Sequence, residues 1–223
     1  MFRILTCLTT QHDWRLVVVA GAVCFLASVT AITLFNRARS TVGSARAVWL
    51  AAAGAATGCG IWATHFLAML AYEPGVPVAY NLNLTALSLL AAATITAVGM
   101  TAAVFMPSRW GAALGGGAIG GGVACMHYLG MWAVELPGRI TWDLQLVAAS
   151  IIVGMLLGMA ALAVAVSSTG LRALFASALL LTLAIVSHHF TAMGAVQIVP
   201  DPTRTFTALS LSPGSLAIAV TSA

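Results

Sequence analysis

The sequence predicts an all-α membrane protein of six to seven transmembrane helices, built from three parallel helix-pair repeats. Three observations carry that prediction. The chain is 61% hydrophobic and 6% charged, with a mean hydropathy of +1.04, whereas soluble domains carry about a quarter charged residues. Six apolar stretches are separated by short loops that hold almost all of the proline and charge. A histidine motif recurs through those stretches at a fixed interval. A soluble domain of this size has too little interior to hide so much apolar surface, so lipid must be the solvent for most of the chain.

The apolar stretches cover roughly 16–35, 47–72, 84–106, 110–134, 144–166 and 173–199, long enough to cross hydrocarbon as helices. Only helices and closed barrels satisfy their backbone polar groups in lipid, and runs of this length are helices. A seventh begins near Ser215, within a final segment 213–223. The N-terminus does not read as a signal peptide. Arg3 is the only early base, Asp13 interrupts the region, and the apolar run after Arg15 is long enough to span.

Charge suggests an orientation. Arg37, Arg39 and Arg46 lie between the first and second stretches, Arg109 between the third and fourth, and Arg172 between the fifth and sixth, with no acid among them. The opposite side holds Arg3, Arg15, Arg139 and Arg204, and also every acid: Asp13, Glu73, Glu135, Asp143 and Asp201. The arginine bias, five against four, places the three acid-free loops in the cytoplasm and the N-terminus outside under the positive-inside rule. The net charge of +4 comes from arginines that are scattered rather than gathered in a stripe, so no nucleic-acid partner is expected. Cys7, Cys24, Cys59 and Cys125 show no CxxC spacing and no disulfide pattern; the three inside apolar segments read as small buried hydrophobes.

The repeat is explicit. Residues 64–69 read Thr-His-Phe-Leu-Ala-Met, 126–131 Met-His-Tyr-Leu-Gly-Met, and 188–193 His-His-Phe-Thr-Ala-Met, which sets His65, His127 and His189 62 residues apart, twice over. Eight residues after each histidine stand Glu73, Glu135 and Gln197. Asn81 and Asp143 precede the third and fifth stretches in similar surroundings, and Asp13 opens the first in the same style. The helix pairs are therefore 14–72, 80–135 and 142–199 of a single domain, all running in the same sense.

Residues i and i+4 of a helix share one face, so His65/Met69, His127/Met131 and His189/Met193 each present an imidazole beside a thioether, near the outer end of the even-numbered helices. Parallel repeats put the three pairs at one depth. Met126 and His188 each precede a motif histidine, rotated by about 100°, and could serve an adjoining position. Soft thioether with borderline imidazole favours copper, particularly Cu(I). Zinc more usually recruits thiolate or carboxylate, and Cys59 and Cys125 lie about 120° and 200° around their helices from the motif histidines. Haem is the competitor, because histidine and methionine are both axial ligands. One copy would read as a packed polar histidine and a filler methionine. Three copies read as a functional site, because polar groups are costly in lipid.

Other features read more plainly. Glu73 and Glu135 are interfacial helix ends rather than ligands or proton carriers, since the third copy has Gln197. His12 lies on the outer side, where it could guard an entry path, and reads first as a surface residue. The run Gly115–Gly122 holds small-xxx-small pairs such as Gly116/Gly120 that bring helices close. Trp62, Trp132 and Trp142 form an outer aromatic belt.

At these residues the chain resembles the MHYT family of bacterial membrane sensor domains, whose pattern is a Met-His-Tyr/Phe-x-x-Met type motif near the outer ends of alternate helices in a seven-helix domain. Residues Met126 to Met131 match best; Thr64 and His188 replace the leading methionine of the other copies, and Leu129 stands where the family usually has threonine. The resemblance extends from about Asp13 into the seventh helix. It implies a copper site near the periplasmic face of the bacterial inner membrane, with His65, Met69, Met126, His127, Met131, His188, His189 and Met193 as candidate ligands. It further implies sensing of a diatomic gas (oxygen, carbon monoxide or nitric oxide) or of redox state, and a cytoplasmic signalling domain as partner, often one that makes or degrades cyclic di-GMP. The chain alone is not expected to be an enzyme, because its cytoplasmic loops are too short to form a domain. Two alternatives stay open: a haem- or copper-dependent membrane redox protein or enzyme, and a metal or proton transporter. The transporter would need a polar path inward, for which Thr94, Thr96, Ser167 and Ser168 are the candidates.

Overall fold

Three polar caps begin the helix pairs. The side chain of Asp13 accepts from the Arg15 N–H at 2.8 Å, that of Asn81 from Leu84 at 3.2 Å, and that of Asp143 from Gln145 and Leu146 at 3.0 and 3.3 Å. Each satisfies a backbone donor that the first helical turn leaves unpaired. The computed structural model describes residues 2–106, 109–204, 206–207 and 209–222. In chain order the elements are α1 (Phe2–Thr10), α2 (Trp14–Arg39), α3 (Gly43–Ala71), β1 (Ala79–Asn81), α4 (Leu82–Phe105), α5 (Arg109–Trp132), β2 (Val134–Glu135), β3 (Gly138–Trp142), α6 (Leu144–Ser167), α7 (Leu171–Gly194), β4 (Val196–Pro200), β5 (Ser210–Leu211) and α8 (Pro213–Ser222).

Helices α2 to α7 correspond to the six apolar stretches. Five of them, α2, α3, α4, α6 and α7, are long and apolar enough to cross a membrane. The other, α5, has the same length as α4, but eight of its 24 residues are glycine, which lowers its hydropathy. The six close into a ring in which each packs on the next and α7 returns to α2. Within the ring α5 also touches α3 and α7, so α3, α5 and α7 form an inner layer. The outer helices expose Val18 and Leu26, Leu87 and Leu90, and Ile152 and Leu156, an apolar belt that suits lipid rather than water. The glycines of α5 serve the packing. A Cβ on Gly120 would sit 2.5 Å from Met155 Cα in α6, so only hydrogen fits there.

Each pair is clasped shut at the end where its second helix stops. The Asp13 N–H donates to the Ala71 carbonyl at 2.9 Å, Asn81 to Ala133 at 2.8 Å and Asp143 to Ala195 at 3.0 Å. The strands extend the same idea. A bridge joins His12 to Tyr72, β1 pairs antiparallel with β2 through Tyr80 and Val134, and β3 pairs with β4 from Gly138/Pro200 to Trp142/Val196. Strand β5 adds to β1 on its other edge.

The strands correct the apolar run 173–199, whose helix stops at Gly194; the β-favouring Val196–Pro200 is a strand. Trp62 is also corrected. It is buried, with its indole N–H donating to the Thr85 carbonyl at 3.1 Å, whereas Trp132 is exposed as a belt residue should be. Helix α1 was not foreseen; it lies against α7. Helix α8 occupies the place of the seventh span and leans on α3, burying Leu216 and Val220. Ala223 lies outside the described residues.

At the opposite end, Arg39 reaches from α2 to the last carbonyls of α6, donating to Ala165 at 2.6 Å and Val166 at 3.0 Å. A cation suits a helix C-terminus, where carbonyls are left unpaired.

Candidate functional site

His65, His127 and His189 stand on the three inner helices, each between one and two turns from the clasped end. Because the pairs repeat in parallel, the three side chains arrive at one depth. They are 2%, 1% and 4% exposed. The Nδ1 atom of His65 lies 3.2 Å from Nδ1 of His189 and 3.2 Å from Nδ1 of His127. The rings meet edge to face with centroids 4.9 to 5.2 Å apart. Among the described residues, one ring nitrogen from each lies within 4.8 Å of the other two, and no carboxylate or thiol joins the cluster.

This arrangement poses a proton-bookkeeping problem. A neutral imidazole has one N–H and one lone pair. His65 Nδ1 faces two nitrogens and can offer them a single proton or a single lone pair. The Nε2 atoms of all three rings are buried without a hydrogen-bond partner, and unsatisfied buried polar atoms are costly. A cation among the Nδ1 atoms would use three lone pairs at once and would fix each ring's proton on Nε2. Two nitrogens bound to one tetrahedral ion at 2.0–2.1 Å are about 3.3 Å apart, close to the separations found. The residues present therefore fit a single metal ion.

The remaining sequence candidates surround this triad. His188 is fully buried; its Nδ1–H donates to the Ser150 carbonyl at 3.0 Å, which leaves the lone pair on Nε2. Its ring lies 5.2 Å from that of His127. Met69, Met126, Met131 and Met193 are buried in the apolar core that encloses the triad. Cys59 and Cys125 are half-buried free thiols outside the cluster.

His12 departs from the surface position expected of it. It is 8% exposed, and its ring packs against Tyr72 at 5.2 Å, Phe190 at 5.4 Å and His189 at 6.5 Å. Its Nδ1–H donates to the Cys7 carbonyl at 2.8 Å. Burial holds this imidazole below its ordinary pKa, against the smaller opposing effect of the Cys7 bond, and burial pushes the Cys7 thiol up to about 11. All five histidines of the chain thus lie in one contiguous group. Ser150 escaped the sequence reading, and Tyr128 entered it only as the aromatic residue of its motif. The Tyr128 hydroxyl meets Ser150 Oγ at 3.0 Å, and its ring stacks edge-on against His127 and Trp142. A cavity of about 590 Å³ at the clasped end is lined by Tyr128, Met131, Trp142, Glu135 and Arg204, among others. It brings the surface to within one side chain of His127.

Glu135 works as a fastener. Its carboxylate accepts from the Thr207 N–H at 3.0 Å, the Thr207 hydroxyl at 2.7 Å, the Ser210 hydroxyl, and the Asn81 amide at 3.4 Å. Glu73 is exposed, and its backbone N–H donates to the Gln11 carbonyl at 2.8 Å.

Comparison with known proteins agrees with this layout. The family described as MHYT, bacterial signalling protein N terminal repeat, matches residues 58–116 and 120–178. A protein of Caulobacter vibrioides named only as an uncharacterized signaling protein is 42% identical over 220 residues, 99% of this chain and 27% of its own length. In Pseudomonas aeruginosa, the bifunctional diguanylate cyclase/cyclic di-GMP phosphodiesterase MucR is 34% identical over 196 residues, 85% of this chain and 29% of its own. The cyclic di-GMP phosphodiesterase NbdA of the same organism is 34% identical over 211 residues, 90% of this chain and 26% of its own. The chain thus spans between a quarter and a third of the length of these relatives. No solved structure matches it.

Proposed function

The chain belongs to the MHYT family of bacterial signalling proteins, and we propose that this membrane-embedded sensor region holds one copper ion between His65, His127 and His189 and answers to a diatomic gas or to redox state. One observation carries the reading: the ring nitrogens of three buried imidazoles from three parallel helices converge at ligand spacing, with His65 Nδ1 3.2 Å from the Nδ1 of both His127 and His189. Imidazoles alone would also suit zinc. The thioethers of Met69, Met131 and Met193, one turn along each helix, bias the set toward copper. His188 supplies a further free lone pair beside His127. Copper held by three imidazoles would offer an open coordination position for a small ligand.

The chain's own residues perform the rest. Packing around the triad excludes water, and the helices that carry the histidines are locked by the clasps at their ends. A signal acts only if it favours one of two packings of those ends. Helix α8 leans on α3, which carries His65, and is the element placed to pass such a shift onward. In this reading the clasped end faces the periplasm of the bacterial inner membrane. The arginine end then faces the cytoplasm, where the output is turnover of cyclic di-GMP, as the names of the two Pseudomonas relatives suggest.

The same geometry favours a single ion over haem, because the three rings touch one another and leave no slot for a flat macrocycle between them. Elemental mass spectrometry of the detergent-solubilised chain, beside a variant with His65, His127 and His189 all changed to Ala, tests the proposal. Copper in the parent and none in the variant is the expected result. A parent that takes up no copper after copper-supplemented growth would overturn it.

A further inference from the structure

Helix α1 does more than cover the end of α7. It brings Cys7, a free and buried thiol, to a cavity of about 350 Å³ that opens at the surface and is lined by Cys7, Gln11, Met193 and Gly194, among others. Cys7 and Met193 therefore line one opening, and Met193 belongs to the motif of His189. Beside Cys7 stands His12, whose Nδ1 lies 3.8 Å from Cys7 Sγ and donates to the Cys7 carbonyl. That bond puts the His12 lone pair on Nε2, an atom buried without a partner. The next ring is His189, 6.5 Å away and edge-on. Cys7, His12 and His189 thus form a chain of neighbours that begins at the cavity lining and ends at the triad.

We propose that Cys7, Met193 and His12 form a loading site that passes Cu(I) between the surface and the histidine triad. The inference rests on the reading of the triad as a copper site. Soft sulfur ligands select Cu(I) from harder ions at the mouth. Cu(I) forms its bond to the Cys7 sulfur as the thiol proton leaves to water. His12 Nε2 then replaces sulfur on the ion, His189 replaces His12, and the thiolate recovers a proton from water. Copper stays in the +1 state throughout, so no oxidant or reductant is needed. Fastening α1 to α7 would need neither a thiol at a surface cavity nor an imidazole with an unused lone pair.

The test measures loading rate separately from final occupancy. Apoprotein is mixed with the Cu(I)–bicinchoninate complex, and loss of the complex's colour is followed in the parent, Cys7→Ser and His12→Phe. The expected result is parental final occupancy with loading slowed by about tenfold or more in both variants, as loss of soft or imidazole ligands from the path requires. Parental rates in both would overturn the loading site while leaving the triad intact. No uptake by the parent would overturn the triad and the loading site with it. A second measurement does not depend on the variants folding. Ag(I), a soft ion that undergoes no redox step here, is added to the full chain before N-ethylmaleimide, and alkylation is read by peptide mass spectrometry. Protection of Cys7 supports the site, and alkylation of Cys7 at the silver-free rate overturns it.

Discussion

The Nδ1–H of His188 donates to the carbonyl of Ser150 at 3.0 Å, and the Oγ of the same serine meets the Tyr128 hydroxyl at 3.0 Å. One residue of α6 thus orients a side chain on α5 and another on α7, both beside His127. Because the backbone and not the serine side chain holds His188, the two functions of Ser150 separate by mutation. Tyr128→Phe should cost about 0.5–1.5 kcal/mol, the usual worth of one hydrogen bond, and Ser150→Ala more, because its hydroxyl also donates to the Val147 carbonyl at 2.7 Å. The double variant should cost about as much as Ser150→Ala alone, leaving copper content unchanged. Thermal unfolding in detergent reads the cycle; additive costs would show that the hydroxyls do not act on each other.

Glycine spacing gives a prediction that touches no ligand. A Cβ at Gly130 would lie 2.5 Å from His65 Nε2 and 2.9 Å from its Cδ2, whereas one at Gly121 would meet nothing within 4 Å. Gly130→Ala should therefore push the His65 ring aside and weaken copper binding by about 10–100-fold, the scale of an outer-shell disturbance. Gly121→Ala should leave binding unchanged. Copper titration of the two variants decides it, and equal affinities would mean the ring can yield without cost.

Direct and indirect residues should separate at the site. His127→Ala removes a nitrogen that approaches His65 at 3.2 Å, while Glu135 is occupied with Thr207, Ser210 and Asn81. The first should lower copper affinity by more than about 100-fold, beyond what loss of a supporting residue causes. Glu135→Ala should leave it near that of the parent. Equal effects in a competition assay would remove His127 from the ligand set.

Glu135 makes its own prediction with pH. Burial alone raises its pKa, but the bonds from Ser210, Thr207 and Asn81 together outweigh burial and hold it below the ordinary carboxylate value. A depressed folded pKa means that the contribution is complete above the ordinary value and is lost as pH falls through the depressed one. Protection of the Thr207 amide against hydrogen exchange, corrected for intrinsic rate, should persist through the ordinary carboxylate range and fail below it. In Glu135→Gln it should be weak at neutral pH as well. Loss of protection already at the ordinary value would show that the four donors do not act together.

Much of this architecture was legible along the chain. Hydropathy is a sum over neighbours in sequence, so the spans could be read without knowing what they touch. The 62-residue interval of His65, His127 and His189 is likewise a property of the string, and from it follow parallel pairs and a common depth. The caps at Asp13, Asn81 and Asp143 are local too, since their partners lie two or three residues on.

The convergence of the three imidazoles was decided by tertiary packing. Helices that are apolar nearly all round carry little signal for their rotation, because lipid accepts either face. Rotation is set where backbones touch, as at Gly120 against Met155 of α6, and that rotation aims Nδ1 of His127 at His65. The burial of Trp62 and His12 has the same origin. Trp62 finds an acceptor on a neighbouring helix at Thr85, and His12 is enclosed by Tyr72 and Phe190, far along the chain. Strand pairing between Trp142 and Val196 stops α7 short of the end of its apolar run. Local patterns thus determined which residues enter the membrane and at what depth, whereas contacts between residues distant in sequence decided which of them face one another.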